Sequence, residues 1–561
     1  MKQWIALFYA CCISPIYAAT IADTVFMNGN IYTANESNPH AEAVAINHDC
    51  ITAVGSNNEI KKFIGSQTRV INLKGMTMLP GLTDSHAHFI QVGEREMTFN
   101  LENTKSLDDL LTKVKEKTTK TNPGEWITGS GWIETYWKPS QFPTRWDLDR
   151  VAPNNPVVLS RADLHSIVVN SMALKLSGIT KETKNPFGGE THHDQKSGEP
   201  DGMLMDEARN LITSHIPATD KAHLEKAMIL ANNWSIAHGL TQVQEPSGSY
   251  DDVDTYQTLF REGKIKIRIY KAVSGPSADS TRLLHDGPII EAFDHHFNLR
   301  TIKVVSDGAL GSRGAALFEP YNDATNTRGF LRVDEIKYQA MLHDALKKGI
   351  QVQTHAIGDA ANHFTLYEYT KALKAVPPSS RQIANPRFRI EHAQILSDAD
   401  LKRFAALNVI PSMQPSHAIS DLHYASNRLG MKRLKNAYAW RSLIKTGVII
   451  PGGSDAPVER GDTLIEFYAA VARKDIHGFS SKGWHREQIL SRDEALKMFT
   501  VWPAYAAFEE NLRGQIAPGK LADFTVLSKD IMKVPSDQIL KSHNVMTVIG
   551  GEIVWQEMQR S

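Results

Sequence analysis

Cysteine is almost absent from this chain: there are three in 561 residues, two of them adjacent at Cys11 and Cys12. Those two fall within residues 1–19, which read as an export signal. Lys2 supplies a short positive start, residues 4–16 a mostly apolar run, and Tyr17-Ala18-Ala19 the small residues of a cleavage site. Bulky Phe8 and Tyr9 precede Cys11 where a lipidated cysteine needs smaller neighbours, which argues against a lipid anchor. Removal of the segment leaves Cys50 alone, which excludes a disulfide and a thiolate metal cluster in the mature chain. Net charge is missing too. Lys+Arg and Asp+Glu stand at 62 each, so nothing in the balance favours nucleic acid or an anionic membrane. The first apolar run falls short of the roughly 20 residues of a membrane span, so no stable span is expected once the signal is gone. Low-complexity tracts and short-period repeats are also lacking. What remains is 42% hydrophobic and 22% charged, the composition of an ordinary folded protein.

Both ends of the chain read as short β-strands. At the start, 24–27, 31–33, 43–47, 50–54 and 69–73 are apolar runs broken by turn signals, of which Asn28-Gly29-Asn30 is the strongest. At the far end, 523–527, 545–549 and the residues after Gly550-Gly551 repeat the style. Neither flank is large enough for a core of its own, so residues 20–78 and 515–561 are expected to form one composite β-sandwich domain.

Between them, residues 79–514 alternate strand-like runs with helical segments. Strands are expected at 83–88, 241–245, 267–273, 301–306, 351–355, 388–392, 409–413 and 448–454, with helices such as 334–348 and 397–408 in the gaps. Eight such repeats imply an α/β fold, a (β/α)8 TIM barrel whose site lies at the strand C-terminal ends. A large insertion of about 90–219 interrupts it after the first strand. It is rich in tryptophan (Trp126, Trp132, Trp137, Trp146) and is expected to build a small core, part of which roofs the substrate pocket. His192-His193 within it reads as a solvated loop pair.

The first barrel strand runs into Leu79-Pro80-Gly81-Leu82-Thr83-Asp84-Ser85-His86-Ala87-His88. On an extended strand, His86 and His88 share a face, a spacing that suits one metal ion. Later strand ends carry further groups: Lys303 in an otherwise apolar fourth strand, His355 on the fifth, Glu391-His392 on the sixth and Asp455 on the eighth. Singly, each has a structural use: a core histidine, a snorkelling lysine, an aspartate capping a turn before Pro457. Jointly, at one end of a barrel, they point to a metal centre.

The run Leu-Pro-Gly-Leu-Thr-Asp-Ser-His-Ala-His, the two later histidines and Gly453-Ser454-Asp455-Ala456-Pro457 resemble the amidohydrolase superfamily. Within it, 306–313, His355-Ala356-Ile357-Gly358-Asp359 and Met413-Gln414-Pro415-Ser416-His417 look like the YtcJ-like branch, which includes N-substituted formamide deformylases. The resemblance covers essentially the whole mature chain. It implies that His86, His88 and Asp455 bind the more buried metal, His355 and His392 a second, and that Lys303, carboxylated by carbon dioxide, bridges them. Single-metal members use fewer of these ligands. The expected cofactor is a divalent metal, Zn2+, one or two per chain, which lowers the pKa of bound water. Asp455 is the expected general base and acid. Arg313 could grip a substrate carboxylate or serve a loop salt bridge, and His417 could contact the substrate. Asp359 and Glu391 are expected to orient the histidines.

The expected protein is an exported hydrolase, periplasmic or secreted, that attacks non-peptide carbon–nitrogen bonds of small molecules, with room for a homodimer. A deaminase or lactone hydrolase would use the same centre. A periplasmic binding or regulatory protein that keeps the fold without turnover is the alternative of another class, against which the full ligand set argues.

Overall fold

The computed structural model describes residues 21–97, 99–162, 165–186, 188–216 and 220–558. The expected export segment, with Cys11 and Cys12, lies outside the described residues. No helix among the described residues is long and apolar enough to cross a membrane.

Seven parallel strands form the central sheet: β1 (Leu82–Asp84), β2 (Leu240–Glu245), β3 (Arg268–Ser274), β4 (Phe297–Val305), β5 (Gln351–Ala356), β6 (Arg389–His392) and β7 (Ile410–Ser412). Each pairs with its sequence neighbour in the order β7-β6-β5-β4-β3-β2-β1, as βα repeats require. The eighth strand expected at 448–454 is instead an irregular segment with a single parallel bridge, Met413 to Gly452. Pro451 has no amide proton and two glycines follow it, which explains why no regular ladder forms there. Its backbone still carries the sheet around. Met413 donates to the Pro451 carbonyl at 3.1 Å, Gly453 donates to the Met413 carbonyl at 3.1 Å, and Ser85 donates to the Gly452 carbonyl at 2.9 Å. The result is a TIM-barrel-like α/β fold.

The connecting helices begin where capping chemistry places them. Asp334 accepts from the Ile336 and Lys337 amides to start Glu335–Lys348, which ends at Gly349 in the left-handed region (φ 68). Ser397 caps Asp398–Leu407 through the Asp400 amide.

Outside the barrel, Cys50–Gly55, Ala43–Asn47, Thr24–Met27 and Arg69–Asn72 make a four-stranded sheet. A six-stranded sheet joins both chain ends, because Thr77–Pro80 pairs antiparallel with Phe524–Leu527. Phe26, Val44, Ile46, Met78, Phe524, Val526 and Val548 pack together between the two sheets. The tight turn expected at Asn28-Gly29-Asn30 is present, with Asn28 at φ 54, but it makes no hairpin. Thr24–Met27 enters one sheet and Asn30–Tyr32 the other, since Phe26 and Ile31 bury their side chains against each other's sheet.

The insertion builds a third, six-stranded sheet from Phe99–Asn100 to Pro200–Asp206. Trp132 and Trp137 lie in its core with Leu110, Val114 and Leu148, whereas Trp146 is 41% exposed. His192 is not in a loop. It sits on the strand Gly189–His193, with Nδ1 bonded to Asp201.

A buried ion cluster ties the terminal sheets to the barrel floor. Arg268 on β3 donates from Nε and Nη2 to the two Asp523 oxygens at 2.9 Å each, and Gly550 donates its amide to the same carboxylate at 2.9 Å. Burial alone would raise the Asp523 pKa, but the Arg268 guanidinium holds it down to about 2. A carboxylate so depressed stabilises the fold above its ordinary pKa near 4 and loses that contribution as pH falls toward 2. Replacing Asp523 by Asn strands the Arg268 charge. It is expected to lower unfolding free energy at pH 7 by about 3–5 kcal/mol, with the difference from wild type shrinking below pH 4. Denaturant titrations of both proteins check this, and a pH-independent loss under about 1 kcal/mol contradicts it.

Candidate metal centre

Strand β1 stops at Asp84, so His86 and His88 are set by loop hydrogen bonds and not by strand alternation. Asp84 Oδ1 accepts from the His86 and Ser454 amides at 3.0 Å each, and Asp84 Oδ2 accepts from Ser454 Oγ at 2.5 Å. Asp455 donates its amide to the His86 carbonyl at 2.6 Å, and His88 donates its amide to the Ala456 carbonyl at 2.8 Å. The two segments lie so close that a Cβ on Gly453 would stand 2.5 Å from the His86 nitrogen. Only glycine fits at that approach.

Three histidines then have their outer nitrogens occupied. His86 Nδ1 bonds Glu391 Oε2 at 2.5 Å, His88 Nδ1 bonds Ser247 Oγ at 3.1 Å and His392 Nδ1 bonds Gln414 Oε1 at 2.8 Å. That leaves their Nε2 atoms to face inward. His86 and His88 Nε2 lie 3.4 and 3.2 Å from Asp455 Oδ1. Ligand atoms of His86, His392 and Asp455 all fall within 4.8 Å of one another. Lys303 Nζ, on β4, is 3.5 Å from His86 Nε2. The His355 ring is 4.6 Å from that of His392, with His355 Nε2 3.3 Å from Asp307 Oδ1. His417 Nε2 is 3.5 Å from Asp455 Oδ2.

Electrostatics favour cation binding. Burial lowers the pKa of His88, His355 and His392, so the imidazoles stay neutral, as ligation requires. Burial brings the Lys303 amine down to about 8. Asp455 Oδ1 and His355 Nε2 are buried with no hydrogen-bond partner among the described residues. Inward imidazole lone pairs around an orphaned carboxylate oxygen fit a divalent metal ion.

A sequence profile described as the amidohydrolase family matches residues 69–555. The chain belongs to the amidohydrolase family. Among its relatives, the protein YtcJ of Bacillus subtilis is 34% identical over 544 residues, covering 95% of this chain and 99% of that one. An N-substituted formamide deformylase of Arthrobacter pascens is 26% identical over 553 residues, covering 95% and 98%. In fold, the chain matches a crystal structure of an uncharacterized metal-dependent hydrolase from Pyrococcus horikoshii (TM-score 0.75, 24% identity, 91% of this chain and 99% of that one). Amidohydrolase membership and the donor set together support a metal-dependent hydrolase.

Other expected site residues of this amidohydrolase have partners of their own. Arg313 forms the loop ion pair with Asp323, donating from Nε at 3.2 Å and Nη2 at 3.1 Å. Asp359 opens the helix Asp359–Ala375 and accepts from the Phe318 amide at 3.0 Å; the carboxylate beside His355 is Asp307, which also receives the Ile357, Gly358 and Ala316 amides. Glu391 does orient a histidine, but it is His86, on the far side of the barrel sequence. Gln414, Ser247 and Arg389 went unassigned at the level of sequence. Asp307 lies in the 306–313 motif, but nothing in that motif ties it to His355. Replacing the carboxylate on His86 by a neutral amide in Glu391→Gln is expected to weaken metal affinity about 10–100-fold, and to lower stability as well because it removes the ion-pair partner of buried Arg389. Competition against a chelator measures this, and unchanged affinity contradicts the assignment.

Proposed function

We propose that the chain hydrolyses non-peptide carbon–nitrogen bonds of small molecules, in the amide or N-substituted formamide class. The observation that carries this reading is the buried Asp455 carboxylate, 3.4 and 3.2 Å from two histidine Nε2 atoms and open at Oδ1. Likeness to the deformylase supports the formamide class.

In this reading His86, His88, His355, His392 and Asp455 would hold zinc, one or two ions per chain, and a carboxylated Lys303 would add a ligand in the two-ion case. The metal supplies Lewis acidity and makes a bound water acidic near neutral pH. Asp455 accepts the proton of the attacking water at a carboxylate oxygen and delivers it to the leaving nitrogen. Glu391 holds His86 by Nδ1, and Gln414 holds His392, so that neither imidazole can turn away during turnover. His417, with Nε2 3.5 Å from Asp455 Oδ2, contacts the substrate. The insertion roofs the mouth, a reading supported by its Glu207–Arg332 ion pair and by the Arg332 amide, which donates to the Ser306 carbonyl just past β4 at 2.9 Å. The terminal sheets act as one composite domain, and residues 1–19 direct export to the periplasm or medium.

Asp455→Asn is expected to retain most of the metal while turnover falls about 10²–10⁴-fold, the range of lost acid–base catalysis. Metal analysis paired with an amide and formamide screen checks this; a metal-replete Asn variant with near-wild-type turnover removes Asp455 from the role. About two zinc per chain supports the bridging Lys303, and about one removes it.

A further inference from the structure

Hydrogen bonds at the outer nitrogens sort the histidines of the barrel mouth into two kinds. His86 Nδ1 meets a carboxylate oxygen and His392 Nδ1 meets the Gln414 carbonyl oxygen, both of which only accept. Their ring hydrogens therefore sit on Nδ1 and their lone pairs on Nε2. The Gln414 amide is itself oriented, because its Nε2 points to the Ser412 carbonyl at 3.5 Å.

His417 shows the reverse arrangement. Its Nδ1 lies 3.2 Å from Gln394 Nε2, an amide nitrogen that only donates. Which end of Gln394 faces the ring is decided one residue further out. Asp421 accepts from the hydroxyls of Tyr424 and Tyr438, and its Oδ2 lies 3.5 Å from the same Gln394 Nε2. A carboxylate offers only lone pairs, so the flipped amide would press its carbonyl oxygen against Asp421. Gln394 must donate, His417 Nδ1 must accept, and the ring hydrogen moves to Nε2. That nitrogen has no hydrogen-bond partner among the described residues. The side chain is 9% exposed, and its ring stacks on His392 with centroids 5.6 Å apart.

We propose that Gln394, braced by Asp421, is a positioning residue that fixes His417 as the Nε2–H tautomer, so that His417 donates to an oxygen of the substrate and is excluded from the metal ligand set. The donor role rests on the hydrolytic reading above; the tautomer does not. A neutral donor set in advance toward a carbonyl oxygen is what stabilises charge developing there. The two glutamines, Gln394 and Gln414, thus do opposite work: one presents its nitrogen and makes a donor, the other presents its oxygen and makes a ligand.

The test uses the zinc-loaded full chain with 15N-labelled histidine. His417→Gln assigns the His417 ring signals, and wild type is expected to show the Nε2–H form at pH 8. Gln394→Glu combined with Asp421→Asn, so that the new carboxylate meets no like charge, places an acceptor at Nδ1 and is expected to move the hydrogen there. The kcat of that variant is expected to fall about a hundredfold, with KM within threefold and zinc content unchanged. Asp421→Asn frees the Gln394 amide to turn and is expected to give a mixture of tautomers. An Nδ1–H form in wild type overturns the proposal, which keeps it decidable even if a variant misfolds. So does a Gln394→Glu, Asp421→Asn enzyme within twofold of wild type. If wild type shows the Nε2–H form but turns over no amide or formamide, the tautomer assignment stands and the hydrolytic reading fails.

Discussion

A guanidinium with no solvent contact lies inside the barrel and holds its mouth together. Arg389, on β6, donates from Nη1 to Gln244 Oε1 at 2.6 Å and from Nη2 to the Ser85 carbonyl and Ser412 Oγ at 2.7 Å each. Its Nε lies 2.8 Å from Glu391 Oε1. One side chain thereby connects β2, the loop after β1, β7 and its own strand. A buried charge of this kind is tolerated only when its partners are complete. The partner that matters for chemistry is Glu391. Burial opposes its ionisation, but Arg389 and His86 draw its pKa down to about 2, and as a fixed carboxylate it sets the orientation of His86. Scaffold and ligand shell are therefore one network, from the barrel interior to the first imidazole.

Three backbone departures from ordinary conformations lie at the mouth. His392 (φ 74), Ala393 (φ 43) and Asp455 (φ 62) all lie in the left-handed region without being glycine. Strand alternation aims Glu391 inward with Arg389, and the departure at His392 frees the next side chain from pointing the opposite way. Conformations of this kind cost free energy and persist where surrounding contacts over-determine them. Here those contacts are the Asp455 amide on the His86 carbonyl at 2.6 Å and the His392–Gln414 bond at 2.8 Å.

This balance explains what was legible in the sequence and what was not. The apolar strands with βα spacing were readable because local pattern decides them, and so were the caps Asp334 and Ser397. The histidines, Lys303 and Asp455 were readable because ligand types at successive strand ends have one shared explanation. The eighth strand was not, since Pro451, Gly452 and Gly453 trade a regular ladder for close approach to His86. Nor were the supporting partners. Glu391 is 305 residues from His86, and Gln394 and Gln414 differ only in which end of an amide they turn inward, a choice made by Asp421 and by the Ser412 carbonyl. For Arg313 the sequence offers a loop salt bridge without naming its partner, and the fold supplies Asp323.

The central claim is that the inward nitrogens and the orphaned carboxylate at the barrel mouth bind a divalent ion. Anomalous diffraction at the zinc edge from crystals of the zinc-loaded protein tests it directly. A peak is expected in contact with His86 Nε2, His392 Nε2 and Asp455, with His417 outside coordination distance. A peak confined to surface histidines, or none at the barrel mouth at saturating zinc, would contradict it.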